Sequence, residues 1–302
     1  MPLHRITSVD IAVPDVAAAG AFYAAFGLAD EGDGWFATRD GGRQLHLVEA
    51  PRRGLRRLGL AAPSPDDLDR IAASLAALDV EVTHERPSDE RLVLVEPATG
   101  LPIELEVAPS LAVSDVLPPP VVNRPGDAPR RGRPSDGVRR AGPVRPSNLT
   151  HLVLGTPDFA TTLRVLTDGL GLEISDQLPG VIAFTRAGEA HHTVAVQSAP
   201  GPRLHHVAYE VDDADEVGRG ASALLTADPG CHVWGMGRHA IGSNLFWYLR
   251  DPAGNFVEYT ADVDRIDDGD YHPEAWQGHQ FLYSWGPPPP AEFLEPSDWH
   301  DA

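Results

Sequence analysis

The chain has 302 residues, enough for two domains or one large one, and a hydrophobic fraction of 42% supports a sizeable core. Its 44 acidic against 24 basic side chains give a formal charge of −20, so nucleic acid and anionic membranes would meet long-range repulsion and are excluded as partners. Cys231 is the only cysteine and no apolar run approaches the ~18 residues of a membrane span, so a soluble protein of a reducing, cytoplasmic compartment is expected, with no leader segment.

In chain order, residues 9–13 read as a strand. Pro14 and Asp15 lead into a helix over 16–26 with apolar residues at i, i+3 and i+4, stopped at Gly27. The N-terminal half divides again at about Leu55, and residues 96–100 form a turn between two apolar strands. Residues 109–146 are rich in proline and arginine, which predicts an extended linker whose arginines contact the acidic domains. The pattern then recurs: strand at 150–154, Pro157 and Asp158, helix over 159–167, glycine stops at Gly169 and Gly171, strands near 181–184 and 193–196. It recurs once more as a strand at 204–209, a helix near 213–225, and strands near 246–249 and 256–259 around an Asp251-Pro252-Ala253-Gly254 turn.

These repeats predict an α+β fold of four βαβββ modules, paired into two domains that are each an incomplete β-barrel. The expected boundaries are 1–108 for a degenerate first domain, 109–147 for the linker, 148–264 for a metal-binding catalytic domain and 265–302 for a C-terminal tail. The tail carries His272, His279, Trp276, Trp285 and a proline run.

Three strands of the second half each carry one potential metal ligand inside an apolar run: His151, His206 and Glu258, separated by 55 and 52 residues. Two imidazoles and a carboxylate form a facial triad, which leaves adjacent positions open on a non-haem Fe(II). Zn(II) would accept the same donors but has no redox role to offer. Alternation along a strand puts His205 on the face opposite His206, and separates His191 from His192 in the same way. The positions of the first half that parallel the triad are Asp10, approximately Arg57, and Glu104. A guanidinium cannot ligate a metal, so the first half should be metal-free.

Five stretches together carry a resemblance: Leu149-Thr150-His151; Glu189-Ala190-His191-His192-Thr193-Val194-Ala195; Leu204-His205-His206; Gly237-Arg238-His239; and Phe246-Trp247-Tyr248 through Asp251 to Tyr259. In order and separation they resemble the vicinal oxygen chelate superfamily, and within it the two-domain type I extradiol dioxygenases acting on catechols and 2,3-dihydroxybiphenyl. The match covers roughly 148–262; the first half is similar in layout only. The resemblance implies ring opening next to a vicinal diol with both atoms of O2 inserted, at Fe(II) or at Mn(II) held by the same donors. It assigns His151, His206 and Glu258 as metal ligands. It places His192 in the pocket, assisting deprotonation of the diol and later returning a proton, and gives Tyr248 a hydrogen bond to the substrate oxygen. His239 would orient a hydroxyl or the tyrosine, and Trp234 and Met236 are candidates for the pocket wall. Homo-oligomers are usual in the family. Two other readings share the scaffold: a metal-dependent isomerase or thiol transferase of the glyoxalase or fosfomycin-resistance type, and a non-catalytic binding protein.

Overall fold

The computed structural model describes residues 1–84, 91–114, 117–267, 271–276 and 282–295; His279 lies outside them. Four βαβββ modules follow one another. The first is β1 (Arg5–Val13), α1 (Val16–Ala25), β2 (Ala29–Asp30), β3 (Trp35–Thr38) and β4 (Gly42–Glu49). The second is β5 (Gly54–Ala62), α2 (Pro65–Ala76), β6 (Val82–His84), β7 (Arg91–Val95) and β8 (Pro102–Val107). A one-turn helix, α3 (Asp136–Arg139), precedes the third: β9 (Asn148–Thr156), α4 (Phe159–Arg164), β10 (Glu173–Leu178), β11 (Ile182–Arg186) and β12 (Val194–Ser198). The fourth is β13 (Arg203–Glu210), α5 (Ala214–Ala227), β14 (His232–Arg238), β15 (Leu245–Arg250) and β16 (Phe256–Ala261), and the tail adds β17 (Glu274–Ala275) and α6 (Ala291–Leu294).

Each crossover helix begins on a side chain that accepts a backbone N–H of the first turn: Asp15 from Ala18, Ser64 from Asp67, Asp158 from Thr161 and Asp213 from Glu216. After α4 the chain continues into a π-turn over Val165–Gly169. Modules pair through their first strands. The antiparallel β1·β5 pair joins the first two into the sheet β2-β3-β4-β1-β5-β8-β7-β6, and β9·β13 joins the others into β14-β15-β16-β13-β9-β12-β11-β10-β17. Both sheets are open. One core runs through both halves, with Phe26 stacked on Tyr259 at 3.8 Å and Gln44 accepting the Leu149 N–H at 2.8 Å. In the segment between the sheets, Arg140 pairs with Asp213 and Glu216. Among the described residues, no helix is long and apolar enough to cross a membrane.

Sheet register defines how the halves correspond, and it corrects one parallel. In the second sheet Glu258, Ala208 and His151 form one cross-strand row; in the first the same row is Glu104, Gly59 and Ser8. The counterpart of His151 is therefore Ser8, not Asp10. Counting back from the helix caps Asp158 and Asp15 gives the same result, because both counterparts lie seven residues before the cap. Arg57 does correspond to His206, each two residues before the middle of its row. Its guanidinium reaches Asp10 at 2.9 Å, Glu104 at 2.9 Å and Ser8 Oγ at 2.9 Å. Gly59 gives it room, since a Cβ there would lie 3.2 Å from an Arg57 nitrogen and 2.4 Å from Thr7 Oγ1. Arg57→Ala should cost about 2 kcal/mol, because it strips a partner from two partly buried carboxylates. A urea midpoint unchanged from the parent would contradict this.

Candidate metal centre

The three donors meet because strands β16, β13 and β9 are neighbours. Residues in one cross-strand row share a face, as do residues two apart on one strand. Glu258, Ala208 and His151 share a row, and His206 lies two residues from Ala208. The small Ala208 is the middle residue of that row, between the two candidate donors Glu258 and His151. The donor atoms lie within 4.8 Å of one another; His151 Nε2 and His206 Nε2 stand 3.3 Å and 3.5 Å from Glu258 Oε2. Glu258 is 0% exposed. Asn244 Nδ2 donates to its Oε1 at 3.1 Å and anchors on Thr260 Oγ1, while Oε2 has no hydrogen-bond partner. A buried carboxyl oxygen without a partner is costly, and a cation between these donors would relieve it. The donor set fits a divalent metal with open positions.

Two tandem histidine pairs set the tautomers around this point. His205 Nε2 lies 2.7 Å from the Phe293 carbonyl, which can only accept, so that nitrogen carries the proton. His205 Nδ1 is then the acceptor for His206 Nδ1–H at 2.7 Å, which leaves the lone pair of His206 on Nε2, facing Glu258. The second pair repeats the logic. His191 Nε2–H donates to Asp176 Oδ2 at 2.9 Å, His191 Nδ1 accepts from His192 Nδ1 at 3.1 Å, and the His192 lone pair sits on Nε2. Burial would raise the Asp176 carboxyl, but hydrogen bonds from His191, the Glu274 N–H and Tyr271 hold it below the ordinary value. Burial, and next the His151 ring, hold His192 well below the usual histidine range; burial and His205 do the same for His206. The His192 ring centroid is 4.0 Å from that of His151.

His239 donates through Nδ1 to the Leu282 carbonyl at 2.5 Å and accepts the Tyr248 hydroxyl at 2.9 Å through Nε2. Burial, then Glu258, push the Tyr248 phenol well above its ordinary value, so it stays protonated. His151, His192, His206, His239 and Tyr248 thus line one cavity of about 410 Å³, with Glu258 behind them.

The expected separation of His205 from His206 fails. A bulge in the β9·β13 pairing between Leu204 and His206 breaks strand alternation, so both rings touch and both line the cavity. Trp234 and Met236 are not cavity walls: Trp234 stacks behind Tyr248 at 5.6 Å and donates to the Pro287 carbonyl. Phe184 does line the cavity, whereas Phe246 packs against His239. The tail covers the site through Leu282, Phe293 and Leu294. Asn244, Asp176, Tyr271 and Phe293 were beyond sequence reasoning, since none sits in a distinctive spacing.

Burial lowers His205 to about 4. Between that value and the ordinary 6.5 the unfolded chain binds the extra proton, so stability is full above 6.5 and is lost as pH falls toward 4. At about 1.4 kcal/mol per pH unit, going from pH 7 to pH 5 should cost about 2 kcal/mol from this group, with His192 and His206 acting in the same direction. His205→Gln should flatten the fall in urea midpoint; an identical slope in the variant would remove His205 from the acid response.

Residues 148–259 match the family model of the Glyoxalase/Bleomycin resistance protein/Dioxygenase superfamily. Metapyrocatechase 2 of Cupriavidus necator is 35% identical over 310 residues, covering 97% of this chain and 93% of that protein. A manganese-dependent 2,3-dihydroxybiphenyl 1,2-dioxygenase of Geobacillus genomosp. 3 is 25% identical, covering 80% and 79%. Among solved structures, the Mn(II)-bound glyoxalase from Novosphingobium aromaticivorans superposes with a TM-score of 0.75 at 28% identity, covering 94% of this chain and 91% of that one.

Proposed function

The chain belongs to the extradiol dioxygenases of the vicinal oxygen chelate superfamily, and from that premise we infer that His151, His206 and Glu258 hold the catalytic metal of a ring-cleaving enzyme. The reaction opens a catecholic ring beside its vicinal diol and inserts both atoms of O2. The cofactor is a non-haem Fe(II), with Mn(II) compatible with the same donors. When bound, that metal supplies a redox-active centre at which diol and O2 meet.

The observation that carries this reading is the fully buried Glu258 facing two imidazole Nε2 atoms while a third Nε2, that of His192, opens into the same cavity. His192 acts as general base on a diol hydroxyl and later returns the proton as general acid. His191 and Asp176 hold it in the tautomer that leaves Nε2 free. Tyr248, kept protonated and held by His239 Nε2 in the free site, turns its one O–H to the substrate oxygen when the diol binds. Leu282, Phe293 and Leu294 of the tail exclude bulk water.

In domain terms, residues 148–264 are the catalytic unit, 1–108 its metal-free counterpart, 109–147 the linker and 265–302 a cover. The isomerase reading leaves the His192, His239 and Tyr248 set without employment, and a metapyrocatechase aligns over nearly the whole chain. A cytoplasmic homo-oligomer completes the proposal; sedimentation tests the assembly. For the reaction, the test is anaerobic loading with Fe(II), addition of a panel of mono- and bicyclic catechols, and admission of O2. A yellow ring-fission product with matching oxygen uptake is expected. Iron-loaded protein that consumes no oxygen with any diol would sink the reading.

A further inference from the structure

Nothing in the candidate ligand set itself decides how many oxygens Glu258 presents. Its side chain is 0% exposed, and a buried carboxylate facing a cation can ligate through one oxygen or through both. The surrounding residues decide it. Glu258 Oε2 stands 3.3 Å from His151 Nε2 and 3.5 Å from His206 Nε2, on the side where the donors cluster. Oε1 instead accepts from Asn244 Nδ2 at 3.1 Å.

A short relay holds the amide in this orientation. Thr260 Oγ1 lies 3.2 Å from the Leu245 carbonyl, which can only accept, so the one hydroxyl hydrogen goes there. Thr260 Oγ1 must then accept from Asn244, whose Nδ2 is 2.8 Å away. Both hydrogens of the amide are thereby assigned, one to Thr260 and one to Glu258. The reverse orientation would set Oδ1 against a carboxylate oxygen and against a hydroxyl with no hydrogen left to give. Oδ1 stays buried without a hydrogen-bond partner, a cost that the arrangement carries. Strand placement explains the reach. Tyr248 and Phe246 pair across with Glu258 and Thr260, and Asn244 lies two residues before Phe246, just ahead of β15. Asn244 is 1% exposed, and its backbone carbonyl accepts the His239 N–H at 2.9 Å, which fixes the turn that carries it.

We propose that Asn244 is a positioning residue: it holds Glu258 to a single ligating oxygen and so keeps a coordination position open for O2. A divalent metal bound by one carboxylate oxygen and two imidazoles keeps three adjacent positions, enough for a chelated diol and O2. A carboxylate ligating through both oxygens would fill one of them, and the diol would take the other two. Without the amide, Oε1 would be a second buried, partnerless carboxyl oxygen, and turning it onto the cation would relieve it. The use of the open position rests on the ring-cleavage reading, but the position itself can be counted without turnover.

The test uses the full chain loaded with Mn(II) and, separately, with Fe(II). Broadening of the Mn(II) electron paramagnetic resonance lines in oxygen-17 water counts exchangeable solvent ligands with no diol present. Asn244→Leu and Asn244→Ala should each retain metal and show one such ligand fewer than the parent. Thr260→Ser, which keeps the hydroxyl of the relay, should match the parent. In the Fe(II) protein with saturating 4-methylcatechol, the Asn244 variants should raise KM for O2 by about 10–100-fold, the usual effect of an outer-shell partner, with anaerobic diol affinity unchanged. A parental solvent count in whichever Asn244 variant folds overturns the proposal. So does an equal loss in Thr260→Ser, which would mark a general disturbance of the strand. Should neither Asn244 variant fold, the parent decides: the diol-bound Mn(II) protein should keep one exchangeable solvent ligand, and none left overturns the proposal. A lower count with unchanged KM for O2 overturns the assignment of that position to O2. A lower count with no oxygen uptake by any of the proteins would instead strike the ring-cleavage reading and leave the role of Asn244 at the metal standing.

Discussion

Glu258→Gln is expected to abolish iron retention and, at the same time, to make the metal-free protein more stable. Both effects have one cause. Glu258 is the sole carboxyl among the three clustered donors, is 0% exposed, and leaves Oε2 without a hydrogen-bond partner. Removing the anionic donor should weaken Fe(II) binding by more than the 10–100-fold that outer-shell partners command. In the absence of metal, a neutral amide keeps the Asn244 contact at Oε1 and can donate to the His206 Nε2 lone pair, so a buried acid is replaced by a satisfied group. The gain should be about 1–3 kcal/mol, or several degrees in Tm for a chain of this size. Metal analysis after desalting and calorimetry on chelator-treated protein read the two halves separately. Stoichiometric iron in the variant would remove Glu258 from the centre, and an unchanged metal-free Tm would mean its burial carries no penalty.

His192→Ala should leave iron content and anaerobic diol binding near parental levels while slowing turnover by roughly 10²–10⁴-fold, the usual worth of a positioned acid–base group. Binding survives because His192 packs beside His151 without belonging to the clustered donors. Turnover suffers because its Nε2 is the lone pair left free in the cavity by the Asp176–His191–His192 chain. Single-turnover rates under controlled O2 separate the two. Parental turnover would take His192 out of the mechanism, and loss of iron would recast it as a structural neighbour of the ligands.

Much of this architecture was legible from repetition. Four passes of strand, capped helix and strands could be counted from Asp15, Asp158 and the glycine stops, and the regular spacing of His151, His206 and Glu258 follows from their strands opening the third module and opening and closing the fourth. What escaped had physical reasons. Strands β10 and β14 alternate poorly, so their modules read one strand short. The bulge at His205 reverses an inference that strand alternation makes sound, because one extra residue shifts a side chain to the other face. Aligning His151 with Asp10 matched apolar runs and ignored the helix cap, whose fixed distance to the row holds in both sheets. Asn244, Asp176 and Phe293 act through contacts between segments far apart in sequence, and periodicity carries no trace of those.

The hydrogen bond from His205 to the Phe293 carbonyl joins two events that seem separate. Phe293 belongs to the short helix of the tail, and His205 fixes the proton on His206 that leaves the ligating nitrogen bare. A closed tail therefore favours the metal-ready tautomer, and by reciprocity a bound metal must favour the closed tail by the same free energy. Cofactor loading and lid closure are in this sense one equilibrium observed from two ends. Proteolytic sensitivity of the tail around Phe293 should then report the metal content of the centre it covers.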